Sequence, residues 1–380
     1  VSAHTRRLRV AVVFGGRSSE HAISCATAAG VLRAIDRARY EVLPIGITPT
    51  GEWVLAADDP DRWSLAAGYV PEVARPAPGE GGHVLLPLGE ERRDLVVLGP
   101  DGAARTLGSV DVVFPLLHGP FGEDGTLQGL LELVGVPYVG SGVLASAAGM
   151  DKHYMKVVLA AHGLPIGPYT VIRNREWRTN PAVCLDRIAA LGSPVFVKPA
   201  RAGSSFGITR VADAADEAEV RAAVAIAREH DPKLVVEAGI VGREIECAVL
   251  EGAGDGPPRT ALPGEIVVAD PSRSFYDFES KYVHTAGVQL RCPADLPEEA
   301  TARVRDLAAR TFDAFGAEGL ARVDFFYTPD GQLIVNEINT LPGFTPYSMY
   351  PVMWQRSGLS YPELIDELVQ LALDRPTGLR

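Results

Sequence analysis

The chain is poor in the features that staple, anchor or spread a protein. Its 380 residues include four cysteines, Cys25, Cys184, Cys247 and Cys292, far apart and none in a CxxC pair. That spacing suits free thiols packed as small apolar groups in a reduced cytosol, not a disulfide framework. No apolar run approaches the roughly 18 residues of a membrane span. The opening VSAHTRRLRVAVVFGG sets basic before apolar residues, but its apolar run is short and stops at Gly15-Gly16. It reads as a first strand rather than an export signal, and the protein as cytoplasmic. Positive charge is also scarce: 36 Lys and Arg stand against 48 Asp and Glu, a net charge of −12. This argues against an extended nucleic-acid surface, which wants a basic face, but not against one small anion in a local basic pocket. There is no GxxxxGK[ST] phosphate loop, no repeat and no low-complexity tail.

What is present is ordinary globular material, 47% hydrophobic and 22% charged, long enough for two or three domains. RLRVAVVF, the turn GGRSSE, helical HAISCATAAGVLRAI and EVLPIGIT give a strand–turn–helix–strand order that predicts a parallel sheet. Residues 51–108 read as irregular with short strand candidates; DVVFPLLHG and VPYVG then complete an α/β domain, 1–141. An α+β unit, 142–237, holds the helix MDKHYMKVVLAAHG, the strands YTVI and SPVFVKP, a helix over DAADEAEVRAAVAIAREH and the strand KLVVEAGI. The remainder, 238–380, holds strands REIECAVL and PGEIVVA, a loop at 271–287, a long helix, a hairpin and a C-terminal helix.

The hairpin, GLARVDFFYTPDGQLIVNEINTLPGF, is the most informative stretch. TPDG suits a type I turn. Pairing about it sets Asp324 against Val335 and Arg322 against Glu337. Strand alternation then projects Arg322, Asp324, Glu337 and Asn339 from one face, and Val323, Phe325, Ile334 and Ile338 from an apolar other. Two carboxylates and a carboxamide suit a hard ion, Mg²⁺ or Mn²⁺, which completes its shell with water and phosphate oxygens. The hairpin therefore predicts a nucleoside triphosphate, with Arg322 placed to stabilise developing negative charge. The bland alternative is a solvated face with an Arg–Glu cross-strand pair.

Phosphates need cations and free N–H groups. GSGVLA (140–145) matches a dinucleotide fingerprint, but no acidic residue follows at the required distance, so it reads as a tight strand-to-helix connection. PVFVKPARAGSSFGI (194–208) is better: Lys198 ends a strand, and the Gly-Ser loop with Ser204 and Ser205 offers backbone donors. Lys152 could add a second cation, while Glu237 and Glu244 could bond an adenine amino group and a ribose.

In combination these motifs resemble the ATP-grasp fold, and more closely the D-alanine–D-alanine ligase family. GGRSSEHAIS, LLHGPFGEDGTLQG, GSGVLASAAGMDK, VKPARAGSSFG, FYDFESKY, ARVDFF and NEINTLPGFTPYSMYP all match family motifs in order. The resemblance implies a three-domain ATP-grasp fold, α/β and α+β, with a Rossmann-like N-terminal parallel-sheet domain. It implies ATP between the central and C-terminal domains and two Mg²⁺ (or Mn²⁺) ions on Asp324, Glu337 and Asn339. Lys152, Lys198 and Ser205 would meet phosphates. Glu237, Ala238, Ile240 and Glu244 would surround adenine and ribose, with Ala238 standing where the family often has lysine. A γ-phosphoryl would pass to one D-alanine, and the amine of a second would attack the acyl phosphate. Glu20, hydrogen-bonded with Ser204 and Tyr282, would take the first ammonium, near His118. Arg322 and the Gly343 N–H would hold the oxyanion; Ser348 and the Met349 N–H would clamp the second carboxylate. Loop 271–287 would be a lid, with Lys281 on phosphate and Tyr282 facing the second substrate. The family also implies a homodimer, without nucleic-acid or membrane partners. The rivals are a D-alanine–D-lactate ligase, whose loop typically carries histidine where Tyr282 stands, a dehydrogenase built on GSGVLA, and a non-catalytic nucleotide-binding regulator.

Overall fold

The computed structural model describes residues 6–66, 68–76, 82–86, 94–99, 101–204, 206–254, 256–268 and 288–376. Within them the chain builds three sheets. The first holds β1 (Leu8–Gly15), β2 (Tyr40–Ile47), β3 (Trp53–Leu55), β4 (His83–Leu85), β5 (Asp94–Leu98), β6 (Ala104–Ser109) and β7 (Val112–Pro115), in the order β6-β5-β4-β3-β2-β1-β7. As expected, β1 runs parallel to β2 and to β7. Val10 to Phe14 of β1 are buried without interruption, the pattern of a strand covered on both faces. The stretch read as irregular in fact extends this sheet through antiparallel pairs from β2 to β6. Its strands are too short and too exposed to show a period of two.

Helix α1 (His21–Ala34) follows β1; α2 (Thr126–Val134), α3 (Val143–Met150) and α4 (Lys152–Ala161) follow β7. Asp151 caps α4 by accepting from the His153 and Tyr154 N–H groups. The second sheet, β10-β9-β11-β8, is antiparallel: β8 (Tyr169–Arg173), β9 (Val195–Pro199), β10 (Thr209–Val211) and β11 (Lys233–Ala238). Helices α5 (Asn174–Thr179), α6 (Pro181–Ala189) and α7 (Glu217–Arg228) belong to this unit.

The third sheet comprises β12 (Arg243–Leu250), β13 (Arg259–Thr260), β14 (Gly264–Val268), β15 (Val288–Arg291), β16 (Leu320–Tyr327) and β17 (Leu333–Asn339). Helix α8 (Glu298–Phe315) packs on it, and α3 and α4 share its apolar core through Ala145, Met155 and Leu159. The expected C-terminal helix is two, α9 (Met349–Arg356) and α10 (Tyr361–Asp374), parted at Gly358 with φ 97°. Both return to the first sheet, burying Tyr350, Trp354, Leu364 and Leu368 in one cluster with Val12, Phe14 and Phe114.

The hairpin register differs from the expected one. Thr328 and Gln332 flank the turn, with Gly331 left-handed at φ 81°, so the loop is one residue longer on the return side than a symmetric TPDG turn. The ladder then pairs Phe326 with Ile334 and Phe325 with Val335, but Asp324 with Glu337 and Arg322 with Asn339, with a register shift at Asp324/Phe325. Asn336 is the extra residue of a β-bulge. The bulge keeps Arg322, Asp324, Glu337 and Asn339 on one face, as expected. It also exchanges two apolar neighbours: Val335 enters the core, and Ile334, expected there, lines the opposite face.

Candidate functional site

Between the second and third sheets, and closed at one end by loops of the first, lies a cavity of about 780 Å³. Phe196 from β9, Ile240, and Phe326 and Ile334 from the hairpin give it an apolar end. Polar groups line the rest, beginning with Lys198 and Glu237 beside Phe196.

On the second-sheet side, Lys198 and Lys156 both grip Glu237. Lys156 Nζ stands 2.6 Å from Glu237 Oε1, and Lys198 Nζ pairs with Oε2. Burial alone would favour a protonated Glu237, but the charges of Lys198 and Lys156 outweigh it and hold the carboxyl well below the usual range. Lys152, first residue of α4, donates to the Ala202 carbonyl at 3.3 Å and lies 3.9 Å from Glu337 Oε2. The Gly-Ser loop is braced at its start: Arg201 donates Nε and Nη2 to the buried Asp231 at 2.9 and 2.7 Å.

On the third-sheet side, Arg322 donates Nε and Nη2 to the two oxygens of Asp324, each at 2.7 Å. Its Nε also lies 3.2 Å from Glu246 Oε2 on the adjacent strand. Asn339 Nδ2 donates to Asp324 Oδ2 at 3.0 Å. Among the described residues no three His, Cys, Asp or Glu side chains form a metal cluster. An ion here would rest on Asp324, Glu337 and Asn339, drawing further oxygens from water or phosphate. The donors fit such an ion: they are hard, adjacent in register and open to the cavity, and Asp324 would yield a guanidinium contact while Glu246 retains Arg322.

At the first-sheet end, Glu20 occupies the N-cap position of α1 without capping it. Its carboxylate instead accepts from Ser204 Oγ. Ser204 is held at φ 48°, a conformation unfavourable for a non-glycine residue. Gly119 and Gly203 form the walls: an added Cβ would come within 2.6 and 2.8 Å of Glu20 Oε2. Ser18 ties the two loops together by donating to the His118 carbonyl at 2.7 Å. His118 itself is buried against Thr27 Oγ1 at 3.2 Å, and desolvation lowers its pKa despite the nearby Glu20 charge. Glu123 accepts from the Gly119 N–H at 2.7 Å. Desolvation and the Glu20 charge push its carboxyl well above the usual range. Ser348 stands at the N-cap of α9 with its Oγ 2.7 Å from Thr345 Oγ1, beside Gly343 and the Met349 backbone.

The cavity thus gathers Glu20, His118, Lys152, Lys198, Ser204, Glu237, Ala238, Ile240, Glu244, Arg322, Asp324, Glu337, Asn339, Gly343, Ser348 and Met349, all singled out in the sequence. The Ala238 N–H is already engaged, donating to the Pro168 carbonyl at 3.0 Å. Ser205, Lys281, Tyr282 and loop 271–287 lie outside the described residues. Three further residues escaped the sequence reading. Lys156 follows Lys152 by one helical turn, Glu246 follows Glu244 by one strand repeat, and Glu123 sits in GPFGED; the first two spacings were legible.

Lysines from an antiparallel sheet and from α4, facing carboxylates on another sheet across a shared cavity, define an ATP-grasp architecture. Residues 9–141 match the family model described as D-ala D-ala ligase N-terminus, and 158–370 the one described as D-ala D-ala ligase C-terminus. The chain belongs to the D-alanine–D-alanine ligase family. It is 64% identical to the D-alanine–D-alanine ligase of Arthrobacter sp. (strain FB24), over 98% of this chain and 96% of that protein. It is 60% identical to that of Kineococcus radiotolerans, over 98% of each. Among solved structures, the D-alanine-D-alanine ligase from Coxiella burnetii superimposes with TM-score 0.78 at 36% identity, over 97% of this chain and 95% of that one. The VanG D-Ala:D-Ser ligase from Enterococcus faecalis gives TM-score 0.80 at 34% identity, over 97% and 100%. No helix among the described residues is long and apolar enough to cross a membrane.

Proposed function

We propose that the protein joins two D-alanines at the expense of ATP, for a peptidoglycan precursor. The observation that carries this reading is the meeting, in one cavity, of three sets of groups: the lysines Lys152 and Lys198, the donors Asp324, Glu337 and Asn339, and the Glu20–Ser204 pair. ATP lies with its base at the apolar end and its phosphates toward the lysines. Glu20 takes the first ammonium. The carboxylate oxygen of that D-alanine attacks the γ-phosphorus, and ADP leaves. The amine of the second D-alanine attacks the acyl carbon, Arg322 and the Gly343 N–H hold the oxyanion, and phosphate departs as the amine loses its proton. Ser348 and the Met349 N–H, at the start of α9, hold the second carboxylate; a helix N-terminus favours an anion. Mg²⁺ or Mn²⁺, as two ions on Asp324, Glu337 and Asn339, neutralises phosphate charge when bound. Loop 271–287 closes the site with Lys281 and Tyr282, and Ser205 joins the phosphate loop. The units 1–141, 142–237 and 238–380, a homodimer and a cytoplasmic location complete the reading.

The test is phosphate release with ATP, Mg²⁺ and D-alanine, with the dipeptide identified by mass and by comparison with the L,L product. Release that requires D-alanine and yields D-alanyl-D-alanine is expected. Faster turnover when D-lactate or D-serine is offered as second substrate would overturn the assignment of that subsite. No D-alanine-dependent release would overturn the whole.

A further inference from the structure

Lys156 has no part in the roles above, yet it is only 2% exposed. Burying an ammonium is costly unless it is paired. Here two groups face it: Glu237 Oε1 at 2.6 Å and the ring of Tyr169 at 5.6 Å. Two lysines therefore share one carboxylate, and they are not equivalent. The Lys198 side chain is 12% exposed and stands on the strand that leads into the phosphate loop. Lys156, on α4, borders the cavity but is the more deeply buried of the two, at 2% exposed. On the reading above, a triphosphate would compete with Glu237 for the more exposed Lys198, which leaves Lys156 as the buried cation on that carboxylate.

We propose that Lys156 is a positioning residue for nucleobase selection. It keeps the Glu237 carboxylate charged and aimed into the cavity after Lys198 has turned to phosphate, so that the site accepts a base with a 6-amino donor and rejects one with a 6-oxo acceptor. This rests on the reading that Glu237 faces the base. The apolar surroundings decide the sign: without a neighbouring ammonium, burial protonates a carboxyl. A protonated Glu237 becomes a hydrogen-bond donor and suits the oxygen of hypoxanthine or guanine. Tyr169 cannot replace the lost charge, because its contact to Lys156 is through the ring face.

The experiment compares ATP and ITP as substrates of full-length Lys156→Met. The expected result is a KM for ATP raised by roughly tenfold or more, a kcat changed much less, and an ATP-over-ITP preference reduced by about tenfold, the scale of one charge-assisted hydrogen bond. A merely structural lysine would lower the active fraction and leave the ratio unmoved, and that result overturns the proposal. If Lys156→Met does not fold, the double variant Lys156→Met/Glu237→Gln removes both buried charges. Its nucleotide preference should equal that of Glu237→Gln alone, and an additional loss overturns the proposal. The two readings also fail separately. A Glu237→Gln enzyme with unaltered preference sinks the placement of the base. A shifted Glu237→Gln with an unmoved Lys156→Met sinks only the role of Lys156.

Discussion

Phe344 links the core to the chemistry, and truncating it should show both. It is 2% exposed and follows Asn339 and Gly343 in the segment leading to Ser348. Its ring meets Phe114 of the first sheet at 5.9 Å, Tyr350 of α9 at 5.9 Å and Tyr361 of α10 at 5.4 Å. Its carbonyl accepts from the buried Tyr361 hydroxyl at 2.7 Å. Phe344→Ala loses the transfer energy of the ring and leaves a cavity, together about 3–5 kcal/mol. Phe344→Leu keeps most of the apolar area and forfeits the three ring pairs, each worth roughly 0.5–1.5 kcal/mol, so about 1.5–4.5 kcal/mol is expected. Urea denaturation followed by tryptophan fluorescence reads this cluster directly, because Trp63 and Trp354 both lie in it. In Phe344→Leu the KM for the second D-alanine should rise more than that for ATP, since Gly343 and Ser348 lose their anchor while the lysines do not. A Phe344→Ala cost within about 0.5 kcal/mol, the range of ordinary surface changes, would refute the packing argument. Equal shifts in both KM values would refute the link to the substrate segment.

Glu337→Gln should abolish ATP turnover while leaving the fold intact, because the carboxamide cannot neutralise a divalent ion; wild-type phosphate release would remove Glu337 from the metal site. Ser204→Ala leaves the buried Glu20 carboxylate short of a donor, a loss of about 1–3 kcal/mol, so the KM for the first D-alanine should rise by roughly 5- to 150-fold with the KM for ATP unchanged. Equal effects on both substrates would count against the pairing. Glu123 supplies a pH signature. Its folded pKa is raised, by desolvation first and the Glu20 charge second, so above the ordinary value of 4.5 the folded state binds a proton that the unfolded chain has lost. Its contribution to stability is full below that value and fades as pH rises toward the folded pKa. Glu123→Gln lacks this loss, so its stability relative to the parent should grow by up to ~1.4 kcal/mol per pH unit from pH 5 upward. Parallel stability curves in EDTA would remove the perturbation.

The sequence made the polar residues legible and left their exact neighbours open, for identifiable reasons. Strand alternation placed Arg322, Asp324, Glu337 and Asn339 together, because that conclusion depends only on parity. It misplaced Ile334 and Val335, because a single extra residue at Asn336 reverses parity beyond it and β-bulges have no compositional mark. The GGRSSE turn marks Glu20 but not its neighbour; only the fold brings Ser204 against it from far along the chain. Lys156 was legible in its spacing, one turn after Lys152, but not in its burial. Alone on an amphipathic helix, a lysine is ordinarily a surface residue, and nothing local says that Glu237 and Tyr169 will cover it.

Helix α4 explains how charges from separate sheets keep their spacing. Lys152 and Lys156 stand one turn apart and face the cavity, whereas Met155 and Leu159, also one turn apart, enter the core of the third sheet. Met155 Sδ accepts from the Ile338 N–H at 3.4 Å, between the β17 residues Glu337 and Asn339. The cations of α4 and the oxygen donors of β17 are thus fixed to the same buried thioether. The second sheet is joined to α4 by ion pairs, Glu237 with Lys156 and Lys233 with Asp151, and by the Lys152 N–H, which donates to the Ala200 carbonyl at 2.9 Å. Just before β8, the Pro165 carbonyl accepts from the Val335 N–H of β17 at 2.8 Å. The site therefore has one wall, α4 with β17, that shares a packed core, and another tied to it by ion pairs and a few backbone hydrogen bonds. The donor geometry can persist while the Lys198–Glu237 pair exchanges for phosphate.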